Sequence, residues 1–348
     1  MPKYLLHISY KYGFPIARPL SKEIKTRGFD VVWFLDNLND KKYLKADDKY
    51  LESIEDVLNY NPDIILSSSN EVPHFFPGIK VQLFHGFSVN KRNKNKGHFR
   101  IRGWFDLYCT QGPSTTQEFK KLEKKHQHFK VVETGWSKVD MLFPLKKNQS
   151  EKPVVFIAST FTEALSLAHN AHFYKKIESL IKKNDKNWII NLHPKMCPNI
   201  VEKFKTLTKH NNVKYIDFLE DLSALQEADI MITDTTSMIT EFILQKKPVI
   251  TFNNRVPMSY MINITNEIEL DDAIKRGLSP TEELIKNIEL FINNEHPYFD
   301  GKSSKRVIDA SHNFFLNNEK NSLKRKPLNL IRKIKLRKKY NYFKKLWL

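Results

Sequence analysis

The sequence predicts an α/β protein of two doubly wound domains, on three observations. Short apolar runs of strand length alternate with stretches at helical spacing from the first residues onward. A polar interruption around Asn148 to Lys152, just before Pro153, is followed by a fresh series of the same kind. The chain of 348 residues is also longer than one core usually organises. Alternating strands and helices with short right-handed crossovers give parallel sheets covered on both faces. The expected division is 1–150, 151–320 and a tail at 321–348, with the last helix able to pack back on the first domain.

In order, Tyr4 to Ser9 reads as a strand, and Tyr12-Gly13-Phe14-Pro15 as a turn. A helix follows from Ala17 to Lys25 and ends at Gly28. Val31 to Leu35 is a second strand. Tyr50 to Tyr60 carries Leu51, Ile54, Val57 and Leu58 on one helical face, and Pro62 closes it before a strand at Asp63 to Leu66. Strands at Val81 to Phe84 and Leu107 to Thr110, a helix at Ser114 to Lys125 and a strand at Lys130 to Glu133 complete the first half. The second half starts with Val154 to Ala158, then a helix at about Leu165 to Lys183, a strand at Trp188 to Leu192 and a helix at Ile200 to His210. It goes on with a strand at Val213 to Ile216, a short helix at Leu222 to Glu227 and a strand at Ile230 to Thr233. A helix through Ile239, Phe242 and Ile243 and a strand opened by Pro248 follow, with further helices at Thr281 to Asn293 and Ser303 to Asn317.

Composition narrows the class. With 41% hydrophobic and 12% aromatic residues the chain has the material for packed cores. Cys109 and Cys197 lie in unrelated segments without metal-ligand spacing and read as reduced residues of a cytoplasmic protein. The N-terminal apolar run is too short for a signal peptide, and none reaches the roughly 18 residues of a membrane span. The ten glycines form no Gly-x-Gly-x-x-Gly and no P-loop, which argues against a dinucleotide site or a Walker-type NTPase. Of the net charge of +18, eleven positive charges fall between Lys324 and Leu348, where there is no Asp or Glu. Leu328, Ile331, Ile334, Leu336, Tyr340, Tyr342, Phe343, Leu346, Trp347 and Leu348 are mixed with them, as in a helix lying on an anionic membrane. A tail that tracks nucleic-acid phosphates needs no such apolar cluster, so no nucleic-acid partner is expected.

Three places could carry chemistry. Asp234-Thr235-Thr236-Ser237 joins a strand to a helix, where hydroxyls and free backbone N–H groups suit a phosphate; the same four residues would also serve as an ordinary helix cap. His85-Gly86 and His193-Pro194-Lys195 each follow a strand, so each imidazole should emerge at the carboxyl edge of its sheet, where open α/β proteins bind ligands. A histidine there can take a proton from a hydroxyl or support a leaving phosphate. Beyond His85 run Lys91, Arg92, Lys94 and Lys96, then Arg100 and Arg102, cations suited to an anionic substrate.

These pieces together resemble the CDP-glycerol glycerophosphotransferases, the teichoic-acid-type polymerases and primases of GT-B fold. The resemblance rests on His85-Gly86 with its basic loop, Phe105-Asp106-Leu107-Tyr108, Thr134-Gly135-Trp136-Ser137-Lys138-Val139-Asp140, His193-Pro194, and Asp234-Thr235-Thr236-Ser237 with Lys247-Pro248 beyond. It spans roughly Lys80 to Phe252. It implies His85 as general base on an acceptor hydroxyl and His193 at the donor pyrophosphate. It further implies Thr236 and Ser237 as phosphate ligands, Asp234 shaping the turn, and Glu241 reaching a ribose or polyol hydroxyl. Thr160, Pro194, Lys195 and Thr235 complete the implied donor site, and Gly86, Lys91, Arg92, Arg100 and Arg102 the acceptor and phosphate loop. The sequence departs from the family at Ser159-Thr160-Phe161-Thr162, which lacks the arginine of Pro-Thr-x-Arg, at Thr236 in place of serine, and at Trp136-Ser137 in place of Tyr-Pro.

The resulting expectation is a GT-B enzyme, two Rossmann-like domains facing a cleft, that moves glycerol phosphate or ribitol phosphate from a CDP-activated donor. The acceptor would be a hydroxyl of a lipid-linked or polymeric glycan. No cofactor is required by the sequence, and a role for Mg²⁺ stays open. The protein is expected at the inner face of the cell membrane, held by its tail. The competing expectations are a UDP- or CMP-sugar transferase or epimerase of the same fold, and a non-catalytic membrane or nucleic-acid binding protein.

Overall fold

The computed structural model describes residues 1–87, 97–146, 148–217 and 222–344. The chain divides into two compact units, Met1–Asp140 with Glu295–Leu348, and Met141–Asn294. The expected boundaries at 150 and 320 therefore move to 140 and 294. Asp140 explains the first shift, because its carboxylate accepts from the backbone N–H groups of Ser303 at 2.8 Å and Ser304 at 2.7 Å and so ties the first unit to the last third of the chain.

The first unit is built from β1 (Lys3–Ile8), α1 (Phe14–Thr26), β2 (Asp30–Leu35), β3 (Tyr50–Leu51), α2 (Ile54–Tyr60), β4 (Ile64–Ser67), β5 (Ile79–Gln82), β6 (Leu107–Thr110), α3 (Pro113–His126) and β7 (Lys130–Glu133). Its seven strands are all parallel, in the order β3-β2-β1-β4-β5-β6-β7. Strands buried on both faces need unbroken apolar runs, and Leu5, Leu6, Ile64, Ile65, Val81 and Leu107 supply them. The expected helix over Tyr50 to Tyr60 begins later, at Ile54. Ser53 caps it by accepting from Asp56 N–H, and the Asp56 carboxylate accepts in return from Ser53 N–H, which frees Tyr50 and Leu51 to pair with β2.

The second unit carries β8 (Val154–Ser159), α4 (Ala171–Lys182), β9 (Asn187–Leu192), α5 (Pro198–Lys205), β10 (Val213–Tyr215), α6 (Ser223–Glu227), β11 (Ile230–Thr233), α7 (Met238–Ile243), β12 (Val249–Phe252), β13 (Ile262–Ile264), α8 (Leu270–Leu278) and α9 (Glu282–Glu295). The parallel order is β10-β9-β8-β11-β12-β13, which repeats the first unit's pattern. The expected helix from Leu165 starts only at Ala171, where the Asn170 side chain accepts from Phe173 N–H at 2.9 Å; the preceding residues form two 3₁₀ turns. Sequence periodicity did not single out β13 or α8.

α10 (Ser303–Leu316) packs on α1, and α11 (Leu330–Lys339) lies in the tail. The tail straps the first unit. Lys326 pairs with Asp106 at 2.6 Å, the Asn329 amide donates to Arg102 O at 3.0 Å, and Lys339 and the Tyr340 hydroxyl both reach Asp36. Leu336, Arg337 and Tyr342 are buried, with Arg337 donating to Lys344 O at 2.9 Å and lying over the Phe75 ring. Among the described residues no helix is long and apolar enough to cross a membrane.

Candidate active site

In both sheets the strand order reverses once, between β1 and β4 and between β8 and β11, and the carboxyl ends flanking such a reversal are where open α/β sheets hold ligands. Both histidines singled out by sequence stand near these points.

In the first unit the chain leaves β5 through Leu83 and Phe84. Phe84 adopts a left-handed backbone with φ +58°, a conformation that costs a bulky residue about 1–3 kcal/mol and persists only when its surroundings enforce it. Its ring is clamped by His98 at 4.7 Å and Phe119 at 5.0 Å. The kink turns the chain away from the strand direction, and His85 follows with an exposed side chain.

His85 Nδ1 lies 3.3 Å from Ser68 O, at the end of β4. A carbonyl can only accept, so Nδ1 carries the proton, and in the neutral ring Nε2 is the basic nitrogen. Desolvation by the surrounding protein holds the imidazole below the ordinary histidine value; the Ser68 carbonyl opposes this and the Arg102 charge adds to it. His85 is thus a neutral base near pH 7.

The segment Thr134 to Asp140 braces this corner. Trp136 Nε1–H donates to Phe84 O at 3.4 Å, and its indole meets Phe87 edge-on at 4.9 Å. Ser137 Oγ–H donates to Ile16 O at 2.8 Å, and the backbone N–H of Trp136 donates to His296 Nε2 at 3.0 Å. Gly135, at φ +78°, leaves no room for a side chain, since a Cβ there would come within 2.4 Å of Ser303 Oγ. Gly86 is half-buried, Arg100 is exposed, and Arg102 donates to the Asn70 side chain at 3.4 Å. Lys91 and Arg92 lie outside the described residues.

In the second unit Asp234 closes the strand reversal. Its carboxylate is fully buried and accepts from Ser159 Oγ–H at 2.6 Å, Thr160 N–H at 3.0 Å and Leu167 N–H at 3.1 Å. Burial raises its pKa, and these hydrogen bonds pull the other way. Asp234 therefore joins the ends of β8 and β11 rather than reaching solvent. Thr236 N–H donates to Asp234 O at 3.1 Å, and the Thr235 hydroxyl accepts from Arg255 N–H at 3.3 Å. Thr235 and Thr236 are half-buried and Ser237 is exposed at the start of α7. With six residues, α7 offers little dipole, so these hydroxyls and local N–H groups are the anion-binding features. Glu241 sits on the buried side of α7.

His193 is tied to the same edge through β8, because its N–H donates to Ser159 O at 3.1 Å. Its Nδ1 accepts from Lys195 N–H at 3.0 Å, so the neutral ring carries its proton on Nε2. The Phe161 ring packs at 4.5 Å, and Pro194 and Lys195 are exposed beside it. The two histidines thus have opposite tautomers: the neutral His85 ring carries its proton on Nδ1 and the neutral His193 ring on Nε2. Ser68 and Phe84 were not singled out as site residues by sequence, and Ser159 and Phe161 only as part of the stretch that departs from Pro-Thr-x-Arg. A serine run after one strand and a Ser-Thr pair after another were the only signals they left.

The profile of the UDP-N-acetylglucosamine 2-epimerase family matches residues 108–311. Among curated proteins, a UDP-N-acetylglucosamine 2-epimerase of Methanocaldococcus jannaschii is 25% identical over 141 residues, 38% of this chain and 37% of that protein. The teichoic acid ribitol-phosphate polymerase TarL of Staphylococcus aureus is 26% identical over 204 residues, 51% of this chain and 36% of that protein. The chain therefore spans little more than a third of the length of either relative. Among solved structures, the wall teichoic acid polymerase TagF superposes with a TM-score of 0.68 at 15% identity, over 91% of this chain and 90% of that one. The Staphylococcus aureus MnaA–UDP co-structure superposes at 0.63 and 17%, over 91% and 97%. The fold is GT-B, and the resemblance to the teichoic-acid polymerases read in the sequence recurs in a curated relative and in solved structures. These relatives are enzymes by name, polymerases on one side and epimerases on the other.

Proposed function

From a chain that belongs to the UDP-N-acetylglucosamine 2-epimerase family over residues 108–311, we propose a transferase that takes a nucleoside-diphosphate donor and moves polyol phosphate to a hydroxyl acceptor. The family match covers all of the second unit, the donor side, and leaves out His85. The opposite tautomers of His85 and His193 carry the reading. An epimerase handles one substrate; a transferase also needs a base for a second substrate's hydroxyl. His85 Nε2 takes that proton while the acceptor oxygen attacks the phosphorus bearing the polyol. The bond from that phosphorus to CMP breaks, and CMP leaves with the electron pair. His193 Nε2–H hydrogen-bonds the pyrophosphate oxygens, with Thr236 and Ser237 as further donors. Positioning and charge stabilisation do most of the work in such transfers. The likeness to TarL and TagF, including a TagF crystal soaked with CDPG, supports CDP-glycerol or CDP-ribitol as donor.

The family match favours a second reading, epimerisation of a UDP-sugar. Calorimetry with CDP-glycerol, CDP-ribitol and UDP-N-acetylglucosamine separates the two: the transferase reading expects binding of a CDP-polyol, and binding of the UDP-sugar alone overturns it.

The acceptor is a lipid-linked or polymeric glycan, and the protein works on an anionic membrane surface. α11 supports the second point. It buries Leu336 and Arg337 while leaving Ile331 and Ile334 73% and 57% exposed. Leu328, Leu330 and Phe343 in the same tail are exposed too, and so are Lys335, Lys338 and Lys344. That arrangement suits headgroups of negative charge.

A further inference from the structure

Tyr10 and Tyr12 stand on the loop that leaves β1, on one flank of the strand reversal, and His85 is anchored to Ser68 on the other. Their rings stack at 5.3 Å with 20° between planes, and Tyr12 in turn meets the His85 ring at 5.5 Å. The result is a column of three rings ending at the imidazole. Tyr10 is 57% and Tyr12 43% exposed, and no other aromatic side chain among the described residues is more exposed than Tyr10. A tight turn holds them there: Gly13 N–H donates to Tyr10 O at 2.8 Å, and a Cβ on Gly13 would come within 3.1 Å of Ser68 Oγ. The missing side chain lets the aromatic loop close on the segment that orients His85.

We propose that Tyr10 and Tyr12 form a stacking platform for a pyranose ring at the reacting end of the acceptor, which makes the acceptor a ring-terminated glycoside rather than an open-chain polyol phosphate. This rests on the transferase reading for the role of His85, but the platform itself is a binding claim. The C–H face of a pyranose is weakly positive and packs on the electron-rich face of an aromatic ring, and tyrosine adds a hydroxyl for hydrogen bonding at little entropic cost. An open-chain polyol phosphate has no flat C–H face to offer and carries negative charge, for which two neutral phenols have no counterpart. The Tyr12 hydroxyl, pushed up to about 12 by desolvation and by Tyr10, stays protonated and so remains a donor.

The test is saturation-transfer NMR on the full chain with a pyranose disaccharide and, separately, a glycerol phosphate oligomer. Wild type, Tyr12→Ala and Tyr12→Phe are compared, with circular dichroism confirming the fold. The platform predicts disaccharide binding that weakens roughly tenfold in Tyr12→Ala, about 1.4 kcal/mol, and is largely kept in Tyr12→Phe. Disaccharide binding equal in wild type and Tyr12→Ala overturns the proposal, as does tighter binding of the oligomer. If wild type turns over no CDP-polyol and yet loses the disaccharide on Tyr12→Ala, the donor reading fails and the platform stands.

Discussion

His85 follows β5 and His193 follows β9, on opposite flanks of their sheets' reversals, and they differ in what one hydrogen bond does to each. The Ser68 carbonyl keeps the His85 proton on Nδ1, and the Lys195 amide keeps the His193 proton on Nε2. Replacing His85 by alanine should lower turnover by roughly 10²- to 10⁴-fold, the usual contribution of a general base, while donor affinity measured by calorimetry holds. Because the His85 pKa is lowered, the base stays unprotonated further into acid, and the acid limb of kcat/KM should lie below the ordinary histidine value. His296 gives a stability effect of defined sign. Burial depresses it from 6.5 to about 4, so between these values the unfolded chain binds more protons than the folded one. Its contribution is complete above about pH 6.5 and is lost as pH falls toward 4, a loss of about 3 kcal/mol that urea titrations across this range should reveal. Replacing Asp234 by alanine strands three buried donors and should cost about 2–4 kcal/mol in the same assay.

α11 shows how far sequence patterning goes. Its mixture of apolar and cationic residues is visible in the sequence, but periodicity does not say which face meets the protein. Tertiary contacts decide that: Asp36 draws Lys339 and Tyr340, the Phe75 ring receives Arg337, and the isoleucines are left outside. A tail read as a detachable anchor is therefore also part of the first unit's packing. Ile331→Ser with Ile334→Ser should abolish sedimentation with anionic vesicles and leave the urea midpoint in place, whereas removing 324–344 should lower that midpoint. Vesicle binding retained by the double variant would count against the membrane face. The strands were readable because parallel sheets require unbroken apolar runs, as in Val154 to Ala158. The start of α4 was not, because Leu167 gives its N–H to Asp234, a partner 67 residues away that no local pattern reveals. The same holds at the site: His85 and His193 announced themselves after strands, but their tautomers depend on a carbonyl and an amide, and the left-handed Phe84 depends on His98 and Phe119 packing on it.

The two units repeat one strand order, and each has polar residues at its reversal, yet the chemistry they offer differs. The second unit has Asp234 closing the reversal and hydroxyls beside it, the features proposed to meet a pyrophosphate, and it falls within the family match. The first has a neutral imidazole and an aromatic column, the features proposed to meet an acceptor, and its first 107 residues fall outside that match. Under the proposed transferase reading, this division would let a chain of the epimerase family keep a donor side within the family match and carry a distinct acceptor side outside it. The most direct test is CMP release from CDP-glycerol and CDP-ribitol in the presence of a lipid-linked glycan, with UDP-N-acetylglucosamine run in parallel. The account predicts CMP release that disappears in both His85→Ala and His193→Ala; conversion of the UDP-sugar to its 2-epimer with no CMP released would contradict it.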